Sequence, residues 1–345
     1  MKLPFVIQQD ASLKRFNTFG VEARTKWLLR VQDLALLPEL LERPEWKELP
    51  MLPLGAGSNV LFTQDFDGVV VHYDSQEAVE YPDDVNERGV RVRCGSGRNW
   101  HEFLMWALDQ GHAGLENLAL IPGTVGGAPV QNIGAYGVEL ERCVELVEAY
   151  DRSINAFVRM GRSDCGFGYR TSRFKGADVI GRYLITAVEF RFDWQARPVL
   201  TYPGVGDELE AMGERAPTAR KVAEAICRIR RRKLPDPAEI GNAGSFFKNP
   251  VIEAEHSEVL AEQFPDMPRY VAADGRVKLS AAWMLERLGL RGARDRHAGF
   301  YDHHSLVLVN HGGATGHELL SFAERANDQV EEAFGFRLEP EVLVL

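Results

Sequence analysis

The chain has 345 residues, 45% hydrophobic, 26% charged and 10% aromatic, with a formal net charge of −10. That length suggests two or three domains, and the composition fills their cores and excludes a disordered chain. The acidic balance argues against nucleic acid or an anionic membrane surface as a general partner, since either needs a basic face; local basic groups can still hold an anionic ligand.

The first residues, "MKLPFVIQQDASLKRF", contain no apolar leader core, and the long uncharged stretch Asn117 to Val138 carries five glycines and two prolines. Neither suits a signal peptide or a spanning helix, so the cytoplasm is the expected compartment. Residues 50–73 read as a strand, a Gly-rich turn, a short strand, a polar turn and another strand. Residues 99–111 then predict a helix with apolar positions 103, 104, 107 and 108 and Gly111 as its stop. From 139 to 193 short β-type runs follow one another and suggest an antiparallel meander. The segment 219–233 is helix-periodic, with Val222, Ile226 and Ile229 on one face, and ends before Pro235. "KLPDPAEIGNAG" (233–244) reads as a linker or the entry to another unit. A helix over 278–290, a strand over 305–310, a helix over 315–335 and a terminal strand over 337–345 complete the pattern. Cys94, Cys143, Cys165 and Cys227 form no C-x-x-C pair and are expected as reduced, packed thiols.

Two Gly-rich stretches suggest ligand chemistry. "GAGSN" (55–59) is not a dinucleotide fingerprint, because position 60 is Val and a strand follows, yet such a turn can present several N–H groups to a phosphate. Its ordinary reading is a hairpin turn. "IPGTVGGAPVQNIGAYG" (121–137) spends five glycines in an apolar, uncharged run. Ordering so many glycines is costly, so close approach of backbone to a flat ligand with a diphosphate tail is expected, against the alternative of a buried irregular connection. In "FGYRTSRFKG" (167–176), Tyr169 and Arg170 fall in a strand-like run where Arg170 could fork onto a carboxylate. In "RIRRRK" (228–233) most cations read as a solvated helix end favoured by the dipole, with Lys233 the one expected to turn toward an anion. His297, His303 and His304 do not fit a helix-face metal pair, and no metal is expected. Finally, "NAGSFFKNP" (242–250) sets Ser245 between a glycine and two phenylalanines. Ser beside Gly is ordinary turn chemistry, and the nucleophile pattern G-x-S-x-G fails because residue 247 is Phe, so any chemical role differs from acyl transfer.

Taken in order, "FNTFGVEA" (16–23), "GAGSNVLF" (55–62), "IPGTVGGAPVQNIGAYGVE" (121–139), "FGYR" (167–170), "KLPDP" (233–237), "GNAGSFFKNP" (241–250) and "LEPEV" (338–342) resemble the UDP-N-acetylenolpyruvoylglucosamine reductases, also called UDP-N-acetylmuramate dehydrogenases. The likeness spans nearly the whole chain. It implies an α+β chain of three domains: an FAD-binding fold of the vanillyl-alcohol-oxidase/PCMH type plus a C-terminal α/β substrate domain. The implied bounds are 1–76, to which strand 336–345 can return, then 77–218 and 219–335. It implies FAD as cofactor, NADPH as co-substrate, UDP-N-acetylglucosamine enolpyruvate as substrate, and a monomer. Cofactor contacts fall on Gly55, Gly57, Ser58, Asn59, Ile121, Pro122, Gly123, Thr124, Gly126, Gly127, Gln131, Asn132, Gly134, Ala135 and Tyr136. Substrate contacts fall on Tyr169, Tyr202 (in "LTYPG", the loop of the longer class), Lys233 and Asn249. Ser245 matches the family's proton donor, and Arg170 and Glu341 its other catalytic positions. The competing readings are an oxidase of small alcohols in the same superfamily and a flavin- or nucleotide-binding protein without catalysis.

Overall fold

The computed structural model describes residues 4–74, 79, 81, 89–176, 178–272 and 274–345. The expected domain boundary at 76/77 lies outside the described residues. By internal contacts the chain divides into two compact units. One contains Met1–Ala11, Thr25–Gly57 and Phe66–Arg231, and the other Ser12–Arg24, Ser58–Asp65 and Arg232–Leu345.

The first unit is built on two sheets. In one, strand Phe66–Tyr73 lies between Arg24–Val31 and Met51–Leu54 and pairs with both in parallel. Its run of Val69, Val70 and Val71 is fully buried, as suits a strand covered on both faces. The other is antiparallel in the order Ala156–Gly161, Val144–Asp151, Tyr183–Asp193, Gly89–Gly95. The antiparallel reading of 139–193 therefore holds, but the order is not a meander: Val144–Asp151 takes the middle, flanked by the two strands that follow it in the chain. Tyr150 and Leu184 leave this sheet to join the core of the first, with Leu29, Val71 and Trp46.

Two helices cover the antiparallel sheet. Trp100–Asp109 starts where the Asn99 side chain accepts from Glu102 N–H at 3.0 Å, and Gly111 follows its end at φ 83°. Ala219–Lys233 buries Val222, Ile226 and Ile229 as its periodicity requires. Each such side chain contributes about 1.5–3 kcal/mol by leaving water.

In the second unit, strands Gly241–Ser245, His304–Asn310, Ala298–Tyr301 and Arg294–Asp295 form an antiparallel sheet. Helix Gly316–Phe334 packs on it. Its capping box joins Thr315 and Glu318, and Gly335 closes it in the left-handed region. The helix expected over 278–290 is shorter. Lys278 and Leu279 belong to strand Val277–Leu279, and only Ala281–Arg287 is helical, because the Ser280 side chain accepts from Trp283 N–H and caps it there. The expected linker is also shorter, since Gly241–Ser245 is already strand. The terminal strand expected over 337–345 is confined to Leu343–Val344, which pairs in parallel with Val60–Leu61, Leu343 opposite Val60. Among the described residues no helix is long and apolar enough to cross a membrane.

Candidate active site

In the first unit the 121–137 stretch is held at its entrance by two side chains that sequence reasoning missed. Leu120 N–H donates to His101 Nδ1 at 3.0 Å, and Arg230 Nε donates to Leu120 O at 3.2 Å. Burial lowers the pKa of both groups, and for His101 the neighbouring Arg231 and Arg220 add to the effect. His101 is therefore the neutral acceptor that this bond needs. Arg230 departs from the solvated-helix-end reading of "RIRRRK". Its signal was present in the sequence, for it follows Val222 and Ile226 at four-residue steps on the buried face.

The stretch ends in a tight hairpin. Gly134–Ala135 pairs with Val138–Glu139, and Tyr136 and Gly137 between them both have positive φ, 48° and 82°, the geometry of a two-residue type I′ turn. Asn117, buried and also missed, pins this turn by donating to Tyr136 O at 2.8 Å and Val199 O at 2.9 Å. The Tyr136 ring meets Tyr202 edge-on at 5.2 Å.

Arg170 sits beside the hairpin, in a turn and not in the strand expected for it. Gly168 and Thr171 exchange backbone hydrogen bonds at 3.1 and 3.2 Å, leaving Tyr169 and Arg170 as the two turn residues, with Arg170 at φ 54°. The sequence alternates like a strand, but the turn closes because fully buried Asn132 donates to Gly168 O at 3.2 Å and to Glu139 Oε2 at 3.1 Å, while its own oxygen accepts from Glu141 N–H. Arg170 Nη2 then donates to Gly134 O at 2.7 Å, and its guanidinium lies 5.4 Å from the Tyr169 ring centroid. A Cβ on Gly134 would stand 2.7 Å from Arg170 Nη1, so glycine is what lets the guanidinium lie there. Four of the seven non-glycine residues with positive φ among the described residues, Leu120, Asn132, Tyr136 and Arg170, fall in this region. Strain of this kind, roughly 1–3 kcal/mol per residue, collects where backbone is held for function.

The 55–59 turn meets the same stretch within the first unit. A Cβ on Gly55 would stand 2.5 Å from Thr124 Oγ1. It is not a hairpin, since the strands on either side, Met51–Leu54 and Val60–Leu61, pair in different sheets. Among the described residues the amides of Ala56, Gly123 and Thr124 find no protein acceptor. Two contacting turns with open N–H groups and no bulky side chain fit a diphosphate, so the residues present fit FAD.

In the second unit, Gly241–Ser245 is interrupted by a bulge. Asn242 pairs with Val309 but Ser245 with Val307; Gly244, at φ 70° in the bulge, donates its N–H to Asn242 Oδ1 at 3.0 Å. Beyond Ser245, Phe246 and Phe247 are each 1% exposed and stand edge-to-face at 5.0 Å. The following backbone pairs with the end of the chain. Lys248 N–H donates to Glu339 O at 2.9 Å, and Glu341 N–H to Phe246 O at 2.7 Å. This short pairing sets Glu341 opposite Phe246, one position along from Ser245. On the other side of Glu341, its carbonyl accepts from Asn59 Nδ2 at 3.2 Å. Lys233 is exposed at the end of its helix, and the Asn249 side-chain oxygen accepts from Ala281 N–H at 3.0 Å, leaving its NH2 as the part able to meet a ligand.

The FAD binding domain model matches residues 26–153, and the UDP-N-acetylenolpyruvoylglucosamine reductase C-terminal domain model matches residues 236–345. With the Gly-rich turns, these define an oxidoreductase with an FAD-binding domain. A UDP-N-acetylenolpyruvoylglucosamine reductase of Xylella fastidiosa is 46% identical over 342 residues, covering 99% of this chain and 96% of the relative. One of Chromobacterium violaceum is 47% identical over 97% of this chain and 98% of the relative. The crystal structure of the reductase from Thermus caldophilus shares the fold, with a TM-score of 0.67 at 24% identity over 99% of both chains. The chain belongs to the UDP-N-acetylenolpyruvoylglucosamine reductase family.

Proposed function

We propose that the protein reduces UDP-N-acetylglucosamine enolpyruvate to UDP-N-acetylmuramate with NADPH as reductant, as a cytoplasmic step of peptidoglycan precursor synthesis. The observation that carries this reading is the ladder that brings Ser245 and Glu341 together from distant parts of the sequence.

FAD would be held by Gly55, Gly57, Ser58 and Asn59 and by the 121–136 stretch; bound there, its chemistry is hydride transfer, accepted from the nicotinamide and given to the terminal enolpyruvyl carbon. The remaining task belongs to the protein. As that carbon gains hydride, negative charge develops on the adjacent carbon and its carboxylate. Arg170, its guanidinium already oriented by Gly134 O, holds the carboxylate and stabilises that charge without reorganising. Glu341 shares a proton or hydrogen bond with the same carboxylate and reduces its charge. Ser245 then donates its hydroxyl proton to the adjacent carbon. So weak an acid can act only on a strongly basic centre held next to it, and the buried Phe246 and Phe247 keep water from competing. Tyr169, Tyr202, Lys233 and the free NH2 of Asn249 bind the sugar nucleotide, with Lys233 on the diphosphate.

An anaerobic visible spectrum tests this. NADPH is expected to bleach the flavin band, and UDP-N-acetylglucosamine enolpyruvate to restore it. A flavin bleached by NADPH that the enolpyruvyl compound does not reoxidise overturns the substrate assignment. A colourless protein that takes up no added FAD overturns the whole reading.

A further inference from the structure

The last residues of the chain form a ladder whose partner changes midway. Up to Glu341 the partner is the serine strand, through Lys248 N–H to Glu339 O and Glu341 N–H to Phe246 O. Beyond it the partner is the segment that follows the 55–59 turn. Leu343 N–H donates to Asn59 O at 3.0 Å, Leu345 N–H to Leu61 O at 3.0 Å, and Thr63 N–H to Leu345 O at 2.7 Å. Glu341 is the residue where the exchange takes place. Its N–H belongs to the serine strand, and its carbonyl is taken by a side chain of the turn, Asn59 Nδ2 at 3.2 Å.

We propose that Asn59 is a positioning residue for Glu341, and that ligation of its own turn by a diphosphate is transmitted through this bond to the catalytic carboxylate. The inference rests on the proposed function and adds to it a coupling between cofactor binding and acid placement. The physical reason lies in the side chain. An amide of this length carries a donor to the Glu341 carbonyl while the backbone of the same residue stays in the turn and accepts from Leu343. Aspartate keeps the shape but sets an oxygen against that carbonyl, and serine is too short to reach it. When the turn closes on an anion its backbone is fixed, which fixes the donor, and with it the main chain from which the Glu341 carboxylate projects. Coupling of this kind is reciprocal, so loosening Glu341 from Asn59 weakens cofactor affinity by the same factor.

The test uses the full chain, wild type, Asn59→Asp and Asn59→Ser, stripped of flavin and titrated with FAD. Backbone deuterium uptake over 341–345 is expected to fall when FAD binds the wild type, and to fall by less than half as much in either variant at saturating FAD. In stopped flow at saturating FAD, reoxidation by the enolpyruvyl substrate should slow on the order of tenfold with KM little changed, the loss typical of one buried hydrogen bond, and by more than reduction by NADPH slows. Melting of the flavin-free variants near the wild-type temperature separates this from general destabilisation. Variants with bound FAD whose exchange over 341–345 and reoxidation match wild type overturn the inference, as does an equal loss in both half-reactions with exchange unchanged. If one variant does not fold, the other and the wild-type exchange carry the same decision. A wild-type chain that takes up no FAD overturns the proposed function along with it.

Discussion

Arg170 and Glu341 are held by opposite strategies. Arg170 stands in a turn whose backbone is in the left-handed region, and it is kept there by side chains: Asn132 on Gly168 O, and its own guanidinium on Gly134 O. Glu341 stands in a bend between two stretches of main-chain pairing, its N–H on Phe246 O and its carbonyl taken by Asn59 Nδ2. A site fixed by side chains is sensitive to substitution of the residues that grip it. A site fixed by main chain tolerates most substitutions and depends on its few side-chain links. The difference teaches where each anchorage can be broken.

The largest effect is expected at Ser245. Ser245→Ala should leave reduction of the flavin by NADPH intact and slow reoxidation by substrate on the order of a hundredfold or more, because only the second half-reaction needs the proton. Equal losses in both halves, measured by stopped flow, would remove Ser245 from that role. Next comes the side-chain grip. Gly134→Val should displace the Arg170 guanidinium and reduce kcat/KM by about a hundredfold, the loss expected when one preorganised charge partner is misplaced. A Gly134→Val enzyme with near-normal kcat/KM would show that the guanidinium does not act from where it lies.

Smaller again is Asn132→Ala, which deletes three hydrogen bonds at a fully buried position. It should lower stability by about 2–4 kcal/mol in urea unfolding, with loss of activity following from the freed turn. The smallest effect is a pH dependence. The folded-state value of His101 lies below its ordinary 6.5, through burial first and then the nearby arginines. Its contribution to stability is thus complete above pH 6.5 and is lost as pH falls through the lowered value. His101→Asn supplies an oxygen in place of Nδ1 that does not titrate. The melting temperature of this variant should fall less between pH 7 and 5 than that of wild type, and parallel curves would remove His101 from the account.

Much of the architecture could be read from the chain. The helices at 100–109, 219–233 and 316–334 follow their periodicity and caps, because local rules decide them. The Gly-rich stretch was legible as irregular backbone, because its glycines suit neither helix nor strand. The turn at Tyr169–Arg170 was not, because a positive φ is ordinarily announced by Gly or Asn, and here an arginine adopts it under the pull of Asn132, far off in sequence. Arg230 was hidden by a sufficient local explanation, the helix dipole, although its spacing from Ile226 pointed inward. Asn59 could be placed in the Gly-rich turn, but its bond to Glu341 crosses 282 positions, and no local pattern encodes that.

That separation bears on how the molecule is made. Val60–Leu61 and the Asn59 side chain leave the ribosome well before their partners, which come 283 and 282 residues later. At a synthesis rate of about 5–20 residues per second, the wait is on the order of half a minute. Throughout that interval the short strand lacks this partner. Pairing of residues 343–345 with this segment is therefore the step that closes the strand edge and fixes the main chain beside Glu341.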